Sequence, residues 1–302
     1  MIRRNLAMVL AVAVALCVFT FTGQAEARRA SRTRFRAMTF NVRYDFDDDG
    51  PNRWQHRKEV VAKVVRESQA SVVCLQEDKG DQVEDLQPLL PGWELLGRGR
   101  NAGGSGERCT IAVDRDHARV KESGDFWLSD TPDVEGSNTW GDRYPRKVTW
   151  AVVELKRAKT PLLVLNTHLP EGGGKNHQLR VRGARLMHDW IAARVTERDR
   201  EKVAVLVCGD YNSDVDEEPR AQLAGSEGGD GVRLRDAWSE AAPDDPSPGT
   251  YGGFRGLRTQ QRIDWMLIAG PIRALAAAKI DEQVDGRWPS DHYPVFADLE
   301  LR

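Results

Sequence analysis

From Ala37 onward, short runs of consecutive apolar residues alternate with segments whose apolar positions return at helical spacing. One unit occurs twice. In its first copy the strand RAMTFNVRY leads to a helix around RKEVVAKVVRES, with Val61, Val64 and Val65 inward, and then to the strand SVVCLQE. In the second, PLLVLNTHL leads to a helix around QLRVRGARLMHDWIAARV, with Leu186, Met187, Trp190 and Ile191 inward, and then to VAVLVCGDYN. A further pair of strands, RIDWMLIAG and SDHYPVFADLEL, closes the chain. Strands that alternate with helices predict an α/β or layered α+β domain rather than a helical bundle.

The polar residues that interrupt this pattern are of one chemical kind. The apolar strands end or begin in groups able to bind metal or phosphate: Asn41 and Glu77, then Asn166, His168, Asp210 and Asn212, then Asp264, and finally Asp291 with His292. Such groups gathered at strand ends predict one shared crevice. Two segments rich in Gly, Pro or Trp, FWLSDTPDVEGSNTWGDRYPRKVTW and the stretch from Ala241 to Gly256, read as long loops at its rim.

The N-terminus changes the picture of where the chain works. Arg3 and Arg4 precede an apolar run from Leu6 to Phe21, and Ala25-Glu26-Ala27 offers a small-x-small cleavage site. Residues 1–27 therefore read as an export signal, with an uncleaved membrane anchor as the competing reading, residues 28–36 as a basic leader, and residues 37–302 as the folded domain, in a chain that is expected to be secreted or held in the periplasm or cell envelope. After cleavage no transmembrane span is expected. The formal net charge of −2 gives no basic footprint for long nucleic acid. The exported part keeps Cys74, Cys109 and Cys208, an odd number lying partly in apolar strands, which predicts buried free thiols rather than a disulfide framework.

Several motifs fail on inspection. Gly97-Arg98-Gly99-Arg100-Asn101-Ala102 runs into Gly103-Gly104-Ser105-Gly106, which cannot open the helix a dinucleotide site needs. Asp45 to Gly50 begins like a calcium loop, but its twelfth position is His56 instead of a bidentate glutamate. Gly172-Gly173-Gly174-Lys175 has Leu169 where a phosphate-binding loop needs its first glycine. Neither G-x-S-x-G nor H-E-x-x-H occurs, and His177 and His188 read as surface residues.

Asn41, Gln76-Glu77, Asn166-Thr167-His168, Gly209-Asp210-Tyr211-Asn212, Ile263-Asp264-Trp265 and Ser290-Asp291-His292, taken in this order, resemble the motifs of the endonuclease/exonuclease/phosphatase superfamily. The resemblance spans essentially the whole chain after the leader. It implies a four-layer α/β sandwich, with two mixed β-sheets face to face, helices outside and one active site. NVRYDFDDDGPNRWQHRK and FWLSDTP look like an exported bacterial branch. Relatives that act on abasic DNA carry an acidic residue where this chain has Arg43, which argues against DNA repair.

By that resemblance Glu77 is the main metal ligand, helped by Asn41 and by Asp291. Glu77 and Asn41 offer the hard oxygens that suit Mg²⁺, with Mn²⁺ as a substitute. His292 paired with Asp264 looks like the base that takes a proton from water. Asp210 and Asn212 would line the water and the phosphate, the aspartate serving as the base itself in some similar enzymes. His168 and Asn166 would donate to non-bridging phosphate oxygens. Arg146 and Arg43 would add positive charge against the substrate.

The expected activity is thus Mg²⁺-dependent hydrolysis of a phosphate ester, a phosphodiester first, by metal- and His/Asp-activated water. A phosphomonoesterase and a non-catalytic binding module on the same scaffold are the alternatives. Nucleic acids and lipid headgroups are candidate substrates, and a monomer is the expected state.

Overall fold

The computed structural model describes residues 32–225, 231–245 and 249–302. The export segment and the start of the basic leader lie outside the described residues. Among the described residues no helix is long and apolar enough to cross a membrane.

Both repeated units fold as parallel strand–helix–strand crossovers. Strand β1 (Thr33–Asn41) runs into helix α1 (Trp54–Glu67) and returns as β2 (Val72–Gln76), parallel to β1. After helix α2 (Gly80–Leu89) come the antiparallel strands β3 (Trp93–Leu96) and β4 (Ile111–Asp114). Strands β5 (Ala118–Trp127) and β6 (Lys147–Leu155) open the second half. The second crossover is β7 (Leu162–His168), helix α3 (Lys175–Arg194) and β8 (Ala204–Asp210). Helix α4 (Glu218–Ala224), the two-residue β9 (Arg235–Asp236) and the short α5 (Ala237–Ala241) follow. Strands β10 (Asp264–Ala269), β11 (Ile272–Lys279) and β12 (Val295–Leu301) complete the chain.

Among the described residues these strands form two mixed sheets, in the orders β11-β12-β1-β2-β4-β3 and β5-β6-β7-β8-β10-β9. The closing strands do not share a sheet: β10 pairs antiparallel with β8, and β12 with β1.

Side-chain parity builds the layers. In β2, Val72 and Cys74 join the cluster between the sheets, whereas Val73 and Leu75 meet Val61, Val64 and Val65 of α1. In β8, Ala204, Leu206 and Cys208 face the other sheet, whereas Val205 and Val207 pack with Met187 and Ile191 of α3. Buried on both faces, such strands read as continuous apolar runs rather than as alternation. The result is the four-layer α/β sandwich that the resemblance implies. Cys74, Cys109 and Cys208 are buried free thiols.

The first strand begins earlier than the sequence suggests. Thr33 to Arg36, read as leader, pair with Leu301 to Asp298 of β12. Phe35 enters the core while Arg34 and Arg36 point outward to Glu300 and Asp298, at 3.2 and 2.7 Å. Alternating arginines conceal a strand whose inward positions are few.

One glycine of the GDYN stretch is demanded by close approach. A Cβ on Gly209 would lie 2.6 Å from the carbonyl oxygen of Thr167 on the neighbouring strand, and backbone cannot yield there. Gly209→Ala should lower stability by about 2 kcal/mol, the scale of overpacking in a tight interior. An unchanged denaturant midpoint in that variant would refute the steric argument.

Candidate active site

The site follows from the same parity. In each central strand the row facing the opposite sheet is apolar until its last one or two positions. Ala204, Leu206 and Cys208 are continued by Asp210, and Leu162 and Val164 by Asn166 and His168. Because β10 is antiparallel to β8, Asp264 lies opposite Asp210 in the register, so a strand start meets a strand end. Asp291 and His292 precede β12 and reach the same edge beside β1. Main-chain turns aim the rest: Arg43, Glu77 and Asn212 adopt φ of 57°, 63° and 48°, a region most side chains avoid and functional loops tolerate.

Below the polar mouth lies a hydrogen-bonded floor. The Gln76 amide donates to Thr39 Oγ1 at 3.0 Å and to Asn166 Oδ1 at 2.7 Å. The Asn166 amide donates to the carbonyls of Leu75 and Thr110, at 2.7 and 2.9 Å. Both Asn166 N–H groups are therefore engaged across the sheets. This corrects the phosphate-donor expectation: Asn166 ties the two sheets together beneath the site.

Asn41 also differs from its expected part. Its Nδ2 donates to Glu77 Oε1 at 3.0 Å and to Asp210 Oδ2 at 2.8 Å, while its Oδ1 accepts from the Arg43 N–H at 2.9 Å. That last bond fixes which end is oxygen. Asn41 thus brackets two carboxylates with its amide while its oxygen is engaged by the Arg43 N–H.

Glu77, Asp210 and His292 each offer a ligand atom, all within 4.8 Å of one another. Asp291 lies outside this group. Its Oδ1 accepts from Ser290 Oγ at 3.2 Å and its Oδ2 lies 3.9 Å from Arg43 Nε. Two carboxylates and one imidazole suit a hard or borderline divalent cation. The electrostatics agree: burial pushes the Glu77 carboxyl above the usual range, and the negative charges of Asp291 and Glu107 push the same way. A cation would relieve that repulsion, so the donor set fits one.

His292 Nδ1 lies 2.9 Å from Asp264 Oδ2, and its Nε2 faces Asp210 Oδ2 at 3.8 Å. Burial disfavours the imidazolium, yet Asp264 and Asp210 prevail and raise the histidine well above its ordinary 6.5. Burial, together with the charge of Asp210, raises Asp264 to about 6 in spite of His292. For Asp210 the two histidines outweigh burial and hold the carboxyl low.

A second histidine–carboxylate pair was not legible in the sequence. His168 Nε2 lies 3.6 Å from Asp210 Oδ2, and its Nδ1 lies 3.7 Å from Glu107 Oε2. Arg100 grips Glu107 with two bonds of 2.8 and 2.9 Å. Against burial, His168 and Arg100 bring the Glu107 carboxyl down to about 2. Asn212 Nδ2 completes this side, 3.1 Å from His168 Nε2 and 3.0 Å from the Leu169 carbonyl.

Neither arginine points freely into the mouth. Arg146 donates to Asp142 at 3.1 Å and to the His168 carbonyl at 3.4 Å. Arg43 holds Asp49 with bonds of 3.1 and 3.2 Å, at the flank of Asp291 and Glu77. Of the histidines set aside earlier, His177 sits half-exposed beside Glu217 and Glu218, and His188 contacts the Leu223 carbonyl.

Two sheets thus bring carboxylates, an asparagine bracket and two histidines beside carboxylates to one edge, the arrangement of a sandwich fold with its site between the sheets. The chain belongs to the Endonuclease/Exonuclease/phosphatase family, whose family model matches residues 38–292. Among solved structures it is similar to a family member from Bacteroides vulgatus, at 27% identity and a TM-score of 0.78 over 89% of this chain and 100% of that one. It is also similar to a mannosyl-6-phosphatase from Bacteroides thetaiotaomicron, at 26% identity and a TM-score of 0.77 over 88% and 99%. A Danio rerio TDP2 complexed with single-strand DNA product shares the fold, with 18% identity and a TM-score of 0.69 over 88% and 99%. No curated protein sequence matches the chain.

Proposed function

We propose that the protein is an exported, Mg²⁺-dependent phosphoesterase that hydrolyses phosphodiesters by attack of water. The observation that carries this reading is His292, fixed by Asp264 on one nitrogen while the other faces the Glu77–Asp210 carboxylates. Bound there by Glu77 and Asp210, the ion would supply positive charge that polarises the phosphoryl group. His292 accepts the proton of the attacking water, and Asp264 keeps its ring oriented and stabilises the imidazolium. His168, beside Glu107, is suited to stabilise the charge that grows on the phosphate oxygens, and Asn212, whose amide meets His168 Nε2 and the Leu169 carbonyl, keeps that ring in place.

A second reading, hydrolysis of a phosphomonoester, is favoured by the similarity to a mannosyl-6-phosphatase along nearly the full length of both chains. Parallel assays of bis-nitrophenyl phosphate and nitrophenyl phosphate separate the two. Turnover of the diester should require Mg²⁺ or Mn²⁺ and vanish on addition of chelator. Hydrolysis that survives exhaustive chelation would sink the metal reading, and exclusive cleavage of the monoester would replace the first activity with the second.

A further inference from the structure

The loops that carry the site are pinned from beneath by one cation. Arg57, in the first turns of α1, is completely buried. Its Nη1 donates to the carbonyls of Val42 and Pro289, at 2.7 and 2.8 Å, its Nη2 to that of Arg43 at 3.0 Å, and its Nε to that of Asn52. The guanidinium carbon lies 5.2 Å from the ring centre of Phe254 and 5.6 Å from that of Trp54. Four segments around the mouth meet on this group: the exit of β1, the turn before α1, the approach to Asp291, and the loop bearing Phe254.

All four hydrogen-bond acceptors are main-chain carbonyls, which leaves little charge neutralisation nearby. Burial accordingly lowers the guanidinium to about 10, although Asp291 and Asp49 oppose the fall. A buried ion held only by backbone costs stability that a packed apolar side chain would not. Its five-pronged geometry is the one feature an apolar residue cannot supply, because several carbonyls from distant segments converge on one plane.

The pinned carbonyls belong to functional residues. Arg43 donates its N–H to Asn41 Oδ1, and the next N–H, of Tyr44, donates to Glu77 Oε2 at 3.2 Å. Pro289 leads through Ser290 directly to Asp291 and His292. We infer that Arg57 is a positioning residue: its guanidinium sets the distance between the Asn41–Glu77 half of the site and the Asp291–His292 half. The inference rests on the metal-dependent reading above, because the distance in question is the one between the ion's ligand Glu77 and the base His292.

The test uses the full chain with Arg57→Lys, which keeps the charge but loses the fork, and Arg57→Ala. Mn²⁺ binding is measured first by calorimetry, without substrate, and turnover second. Arg57→Lys should keep native circular dichroism while Mn²⁺ affinity and kcat each fall about 10- to 100-fold; KM for the ester stays near that of the wild type. Millimolar guanidinium should restore part of both quantities in Arg57→Ala, and methylammonium should not. Folded Arg57→Lys that binds Mn²⁺ as tightly as the wild type overturns the inference alone. A wild-type chain that binds no Mn²⁺ overturns the hydrolase reading and this inference with it. Variants that lose their native circular dichroism make Arg57 a residue of the fold, not of the site, and overturn it as well.

Discussion

With the proposed activity, His292→Ala should lower turnover of a phosphodiester by about 10³-fold, the middle of the range for loss of a positioned general base. The pH profile gives the sharper signature. In the proposed mechanism the neutral imidazole is the active form, and Asp264 and Asp210 hold His292 well above 6.5 in the ion-free site. With the ion bound, the wild-type rate should climb as His292 loses its proton, and the climb should disappear in the alanine variant. Stability moves the opposite way. A raised folded pKa contributes stability that is fully present below the unfolded value of about 6.5 and is lost as pH rises through the folded value. An alanine variant that keeps the alkaline rise in rate would transfer the base role elsewhere, with Asp210 first in line.

Glu107→Gln should cost about 3 to 5 kcal/mol, because it leaves the Arg100 guanidinium buried without its carboxylate. Here the sign with pH is reversed. The Glu107 pKa is depressed to about 2, so its contribution is present above the unfolded value of 4.5 and is lost as pH falls from there to about 2. Thermal unfolding followed from pH 7 to pH 2 checks both statements. The wild type loses Tm steeply through the acid range, whereas the variant starts lower and falls less. Parallel curves for the two proteins would show that Glu107 adds nothing to the acid dependence.

The strand-terminal residues were legible in the sequence for a physical reason. A strand buried on both faces has no use for Asn, His or Asp in its row, so their arrival after Cys208 or Val164 marks the point where the row leaves the core. What could not be read was direction. Asn166 and Asn41 are amides in the expected places, but whether an amide turns its N–H to a carbonyl, a carboxylate or a phosphate depends on neighbours from the other sheet. Glu107 lies in a loop with no periodicity, and its pairing with His168 spans two sheets. Arg57 sits on the inward face of an amphipathic helix, where a charged residue ordinarily reads as an exception. The alanine-rich β11 gives no alternation to mark it as a strand.

The polar edge is divided between the sheets. Asn41, Glu77, Asp291 and His292 ride on the β1–β2–β12 side, whereas His168, Asp210, Asn212 and Asp264 ride on the β7–β8–β10 side. The carboxylates of Glu77 and Asp210 are thus a caliper whose jaws are mounted on separate plates. Its opening is set by the thickness of the apolar filling between them, by Cys74 against Cys208 as much as by any charged residue. A methylene gained or lost in that layer would change the gauge at the mouth, so with an ion held as proposed the interior of this protein would share in choosing which ion fits.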